Sequence, residues 1–257
     1  MARTRAFALF VAVVLTLAGC SAFFDFNAFS SLDKAAAPDP SRYQGLSGLV
    51  NLQNDLASKS VVKALKGDYA LSQQILTNLM NDPSYPLTGS PPWSPAQQTA
   101  AILYSSLALQ CTSGDQLVNN IIGAVMTSVP TDIKSILRSI IPADVMADQS
   151  GTSFLYMVNG LLQAKAMYQK LGASIPPDPV GMNMGDVAQK AAVALLMDTV
   201  DQAVIGAVGA VNAVPEMWLL VNDQPNSIAS VPVSDPFSPL PAWLKNIFDA
   251  AGAPYPA

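Results

Sequence analysis

FLYMVNGLLQAKAMYQKL, running from Phe154 to Leu171, is the plainest helix in the chain. Gly172 follows it, at the place where a left-handed residue closes many helices. Lys165 and Lys170 lie towards its C-terminal end, where the helix dipole favours cations. No sustained alternation of apolar and polar residues competes with it as a strand, here or elsewhere.

Working back from this segment, the same helical spacing recurs. Leu46, Leu49, Val50, Leu52 and Leu56 fall mostly three and four apart, and Val61, Val62 and Leu65 continue the pattern until Gly67. Asp68 is placed to cap a helix carrying Leu71, Ile75, Leu76 and Leu79, which Asn81-Asp82-Pro83 ends. Residues 83–95 hold five prolines and Trp93 and are expected to form an ordered loop. Ser94-Pro95 then starts a helix, with Ser as cap and Pro in the first turn. Asp115 is a candidate cap for the stripe Leu117, Val118, Ile121, Ile122, Val125 and Met126. Pro130-Thr131-Asp132 restarts the chain into Ile133–Ile141, and Pro142 stops it. Thr152 and Ser153 are expected to cap the 154–171 helix.

Forward of Gly172, residues 175–181 hold three prolines and read as a loop. Gly185-Asp186 opens a long apolar run to Ala210, which Pro215 and Glu216 interrupt and Met217 to Val221 resume. From about residue 222 the chain is rich in Pro, Ser and Asp, and only Pro241 to Ala250 reads as a terminal helix, docked by Trp243, Leu244, Ile247 and Phe248. The expected fold is all-α: an irregular multi-helix bundle, or a degenerate array of helical hairpins with Pro-rich loops. The cadence of roughly 35–45 residues suits paired-helix arrays. The Trp, Leu-Gly and Tyr positions of a tetratricopeptide-like repeat are not clearly present.

The N-terminus carries an address. Arg3 and Arg5 precede an apolar run from Ala6 to Leu17, too short to span a bilayer comfortably and followed by small residues. Leu17-Ala18-Gly19-Cys20 resembles the lipobox of bacterial lipoprotein precursors. The resemblance covers only these first 20 or so residues. It implies cleavage before Cys20 and attachment of diacylglycerol to its thiol. It also implies a membrane as the first partner, reached through lipid on Cys20. Ser21, not Asp, comes next; among Gram-negative lipoproteins this is compatible with sorting to the outer membrane. The organisation expected is then a signal peptide over 1–19, a lipidated tether over 20–40 and a single helical domain over 41–257. Phe23, Phe24, Phe26 and Phe29 make the tether sticky, suited to a membrane interface or to docking on the domain.

Composition narrows the chemistry. The 257 residues are 51% hydrophobic and 12% charged, about half the usual charged share, with a formal charge of −5 and no histidine. The acidic balance excludes a basic nucleic-acid surface. The lack of imidazole excludes His-ligated metals and Ser-His-Asp catalysis. Beyond Cys20 there is one cysteine, Cys111, so no disulfide framework forms within the domain; it reads as a small buried hydrophobe. No phosphate loop, dinucleotide fingerprint, EF-hand loop or nucleophile elbow occurs, and no cofactor or metal is expected.

The acids are scattered singly. Asp198 and Asp201, and Asp144 and Asp148, are the pairs whose spacing brings them to one helix face. Each pair alone is a weak cation site, and a solvated face is the simpler expectation. Glu216, the only Glu, is expected in the first turn of a new helix. Residues 203–221 are almost long enough to cross a membrane, but Asn212, Pro215 and Glu216 interrupt them, so a buried core helix is expected.

Three functions follow from different classes. The first is a non-enzymatic, lipid-anchored scaffold that binds another envelope protein. The second is a carrier, or transporter accessory, for a hydrophobic small molecule, which needs an apolar cavity. The third is a carboxylate-dependent hydrolase, which needs converging acids in a polar cleft. Trp93, Trp218 and Trp243 are the candidate anchors of a binding surface, since each lies in or beside a Pro-containing segment. Ten methionines suit adaptable packing as well as an adaptable surface.

Overall fold

The computed structural model describes residues 38–127, 133–174, 182–229, 231–234, 236–237 and 239–253. The expected signal peptide over 1–19, Cys20, the four phenylalanines of the expected tether, Pro130–Asp132 and the expected loop at 175–181 lie outside the described residues, as do the side chains of Ile122, Val125 and Met126. The described chain is helical, with no strand among the described residues. A 3-10 turn at Pro40–Tyr43 leads into α1 (Gly45–Leu56), α2 (Lys59–Gly67), α3 (Tyr69–Asn81), α4 (Pro95–Gln110), α5 (Gly114–Thr127) and α6 (Ile133–Ile140). There follow α7 (Ala143–Met146), α8 (Thr152–Ala173), α9 (Met184–Val208), α10 (Ala210–Val221) and α11 (Ala242–Ala250).

Helix starts follow local chemistry. The Asp68 carboxylate accepts the Leu71 N–H at 2.9 Å and caps α3. Ser94 and Gln97 bond reciprocally at the start of α4, with Pro95 in the first turn. Asn183 caps α9 by accepting the Gly185 N–H at 2.9 Å. At α8 the expected hydroxyl caps are replaced by a carboxylate: Asp148 accepts the N–H groups of Ser150 and Ser153 at 3.0 and 2.8 Å. Gly151 makes the bend there at φ +72°, where a β-carbon would be strained.

Helix α8 is the spine. It packs against α4, α9 and α11, and also touches α5, α7 and α10. A linear array lets each unit meet only its neighbours. Here the largest contact joins α4 to α8, far apart in sequence, so the architecture is the irregular bundle. Two apolar clusters form, and α4 walls them apart: Ile102 and Leu109 face the larger cluster, and Leu103, Tyr104 and Leu107 face the smaller one. The smaller cluster gathers Tyr43, Leu52, Ile75, Tyr85 and Leu87; the larger is built on α8, α9 and α11.

Four boundaries differ from the sequence expectation. The linker ends earlier, because Pro38 is buried and Asp39 caps the 3-10 turn through the Ser41 N–H at 2.9 Å. The first apolar pattern is two helices, separated at Ala57-Ser58, and it is not wholly buried: Leu46 and Val50 are exposed. Gly172 lies inside α8, which runs on to Ala173. Finally, the break in the apolar run falls at Gly209, with φ +83°, and Pro215 sits within α10. Proline forfeits the bond to the carbonyl four residues back. That residue is Val211, 89% exposed, so water can take the vacated place. Glu216 is therefore mid-helix, not in a first turn.

The tail from 222 is packed onto the bundle. Ile228 is buried, and Val231, Val233, Phe237 and Leu240 lean on the larger cluster. Helix α11 buries Leu244, Ile247 and Phe248 almost completely, worth roughly 1.5–3 kcal/mol for each. Helix α9 is long and apolar enough, by length and composition, to cross a membrane. In the bundle it packs against α8, α10 and α11, and Val187, Ala188, Ala191 and Ala194 are buried there.

Candidate functional site

The three tryptophans do not meet in one site. Trp93 and Trp243 sit by the C-terminal end of α8, and Trp218 sits by its N-terminal end. Twenty-two helical residues separate these ends, about 33 Å at the usual rise.

Trp93 is buried, 4% exposed, and ties the proline loop to α8. Its N–H donates to Ser174 Oγ at 2.9 Å, and its indole Nε1–H to the Gly89 carbonyl at 3.2 Å. Gln98 Nε2 donates to the Trp93 carbonyl at 2.9 Å. Lys170 Nζ lies 5.6 Å from the ring centroid and donates to the Leu87 carbonyl at 2.9 Å. Those bonds make Trp93 a core fastening with no face to offer a partner. Trp218 is half-buried against Gly151 and Phe154, its ring centroid 5.4 Å from that of Phe154. Trp243 is half-buried in the first turn of α11, with its backbone against Gly172.

The acids hold the fold together in separate places. Asp144 binds Lys66 Nζ at 2.5 Å and accepts Ser113 Oγ at 3.2 Å, while its sequence partner Asp148 caps α8. The hydrogen bonds from Ser150 and Ser153 hold the Asp148 carboxyl well below the usual carboxylate range. Asp198 pairs with Lys165 at 3.0 Å. Asp201 is buried, and burial first, then the Asp198 charge, raise its carboxyl above the ordinary value. Glu216 accepts the Ser227 N–H at 2.6 Å, tying the tail to α10. No group of three His, Cys, Asp or Glu able to hold a metal occurs among the described residues.

Cys111 is buried at the end of α4, and burial pushes its thiol up to about 11, so little thiolate forms at neutral pH.

Two hollows were not legible in the sequence. A polar surface cleft of about 400 Å³ lies between the start of α1 and the end of α3, lined by Gln44, Thr77, Asn78, Asn81 and Asp82. Asp82 accepts the Gly45 N–H at 2.7 Å and the Ser84 N–H at 2.8 Å. Burial raises its pKa, but these bonds outweigh burial and leave the carboxyl below its usual value. Its ionised oxygens are thereby engaged in closing the loop. The other hollow lies under the tail, between Leu137, Val200, Val204, Met217 and Val233. At about 10 Å³ it is no larger than a single water needs, and far too small for an acyl chain.

The exposed apolar side chains are the remaining candidates. Leu46 and Val50 lie one turn apart on α1, Leu155 lies near the start of α8, and Val211 projects from the start of α10. Sequence periodicity counted Leu46 and Val50 with the buried stripe; only the packing separates them. No family model, curated protein or solved structure matches this chain.

Proposed function

We propose that the chain is a non-enzymatic cell-envelope lipoprotein: a helical scaffold held at a membrane through lipid on Cys20 and binding an envelope protein. In a Gram-negative host its place is the outer membrane. One observation carries the choice of a binding role over catalysis. Asp82, Asp144, Asp148 and Glu216 are each held in a cap, an ion pair or a loop closure, and of the neighbouring acids Asp198 and Asp201, the first is paired with Lys165 and the second is buried rather than open to a cleft. A hydrolase needs two such groups facing one cleft. The anchor rests on Leu17-Ala18-Gly19-Cys20 after a basic start and an apolar run.

The test is fractionation of cells expressing the parent and Cys20→Ser. The parent is expected in the membrane fraction and the variant in the soluble envelope fraction. Tight membrane retention of the variant would overturn the anchor. Crosslinking in intact cells, followed by native mass spectrometry, tests the scaffold. A reproducible adduct of lipid mass beyond the acyl groups on Cys20 would replace the scaffold by a carrier.

A further inference from the structure

We propose that the phenylalanine-rich segment at residues 23–29 docks in cis on the exposed face of α1 and so sets how far the domain stands from its anchor. The docking itself is independent of the lipid-anchor reading of Cys20; only its consequence for reach rests on that reading.

Packing defines the face. Leu49, Leu52 and Leu56 of α1 are buried, while Leu46 and Val50, one turn apart, point outwards and are 58% and 57% exposed. Ser47, Gln53, Asn54 and Ala57 are the other exposed residues of this stretch, and none is charged. Asp55, the only charged residue of α1, pairs with Arg42 at 3.5 Å and accepts the Tyr43 hydroxyl at 2.7 Å. The outward face therefore offers no cation to a lipid headgroup and no charge to a polar partner.

The path of the chain brings the occupant to it. The turn that enters the domain folds back along the flank of α1. The Arg42 carbonyl accepts Asn51 Nδ2 at 3.0 Å, and a β-carbon at Gly48 would stand 2.2 Å from the Tyr43 carbonyl carbon. Asn51 is next to Val50, so the incoming chain lies about one helix width, roughly 10 Å, from the apolar pair. Pro38, where the described structure begins, is four residues before Arg42, and eight residues separate it from Phe29. That stretch spans up to about 30 Å. Phe29 thus reaches Leu46 and Val50 with length to spare, and Phe23, Phe24 and Phe26 lie further along the same chain.

Composition selects this occupant. Four of the nine phenylalanines fall within seven residues, beside a single charge, Asp25. Rings so crowded call for an apolar cover. A second copy is a poorer match, because two side chains fall far short of the roughly 800 Å² that each partner buries in a stable interface. A segment of the same chain needs less: a short linker holds it at millimolar effective concentration, so a small patch is enough. With Phe23 docked, three residues on from Cys20, the domain sits within about 10 Å of the anchor. Released, the eighteen residues from Cys20 to Pro38 allow up to about 60 Å.

Photo-crosslinking of the full-length protein tests this. It carries p-benzoylphenylalanine in place of Phe26 or of Phe29, is irradiated in intact bacterial cells, and its joined peptides are identified by mass spectrometry. The adduct is expected within one chain, on residues 46–57 of α1. It should be lost in Leu46→Asp/Val50→Asp and in the milder Leu46→Ser/Val50→Ser, with the thermal melt of the parent retained, and kept in Val211→Asp. Adducts joining heavy and light chains in cells that make both would assign the face to a second copy. Adducts only to lipid would assign the segment to the bilayer, and adducts only to another protein would assign it to a partner. Each of these overturns the proposal, as does the absence of an adduct on α1 from both positions. The mass of the N-terminal peptide reports the anchor separately. If Cys20 carries no lipid while residues 23–29 are present, the adduct still decides the docking; a mature N-terminus beyond Phe29 overturns both readings.

Discussion

Gly172 lies directly against the main chain of Trp243: a β-carbon at Gly172 would stand 2.0 Å from the Trp243 carbonyl oxygen and 2.7 Å from its carbon. The terminal helix can therefore meet α8 at backbone distance. Asn246 reinforces the contact by donating to the Gly172 carbonyl at 2.8 Å. Gly172→Ala is expected to destabilise the protein by about 1–3 kcal/mol through overpacking, although Ala is the better helix former. Urea unfolding measures the loss. Limited proteolysis should then cut the tail after residue 222, and an unchanged midpoint would show that α11 shifts without cost.

Gly206 gives the opposite expectation. A β-carbon there meets nothing within 4 Å, and its φ is ordinary. Gly206→Ala should stabilise by up to about 1 kcal/mol, the helix-propensity difference alone. At Gly160 the same change would place a methyl 2.6 Å from the Ala108 carbonyl and 2.3 Å from Thr112 Oγ1, and should destabilise. Thermal melts of the two variants, moving in opposite directions, are the check.

Asp201 predicts a pH effect. An Asp free of the fold ionises near 3.8, whereas burial and then Asp198 raise the native carboxyl above that value. As pH rises through this window the unfolded chain releases a proton that the native state retains. Stability therefore falls as pH rises through the window, and stays lower above it. Asp201→Asn should raise the Tm at pH 7, with the gap to the parent closing near pH 3. A gap of the same size at both pH values would mean that packing, not ionisation, is responsible.

The reciprocal bonds of Ser94 and Gln97 start the helix that separates the two cores. Ser94→Ala should cost about 1 kcal/mol, and Ser94→Asp should restore most of it. Circular dichroism melts at neutral pH read both changes.

Cys111 is expected to react with a thiol reagent only as fast as the fold opens. Its thiol is buried and raised to about 11. Labelling in increasing urea should follow the unfolding transition; full labelling of the native protein within minutes would place the thiol at a mobile surface instead.

Helix content was legible because it depends on local spacing and on caps such as Asp68 and Ser94, whose bonds close within a few residues. The role of Gly172 was not. A glycine near the end of an apolar run reads as a helix stop, and only the arrival of α11 makes it a packing position. Pro215 misled for the same reason: its helical cost is local, but the exposure of Val211 that relieves it depends on the surrounding fold. Of the tryptophans, the sequence marked their Pro-containing neighbourhoods and favoured the core over an interface for each, but it did not show their separation along α8.

Sequence alone determined the all-α class, the capped starts of α3 and α4 and the absence of histidine. All of these follow from residue type and short spacing. Tertiary structure alone decided that α8 is the spine, that Trp93 is a fastening, and that Leu46 and Val50 face outwards while Leu49 and Leu52 face inwards. A 3.6-residue period says that a helix has an apolar side; how wide that side must be depends on what is packed against it.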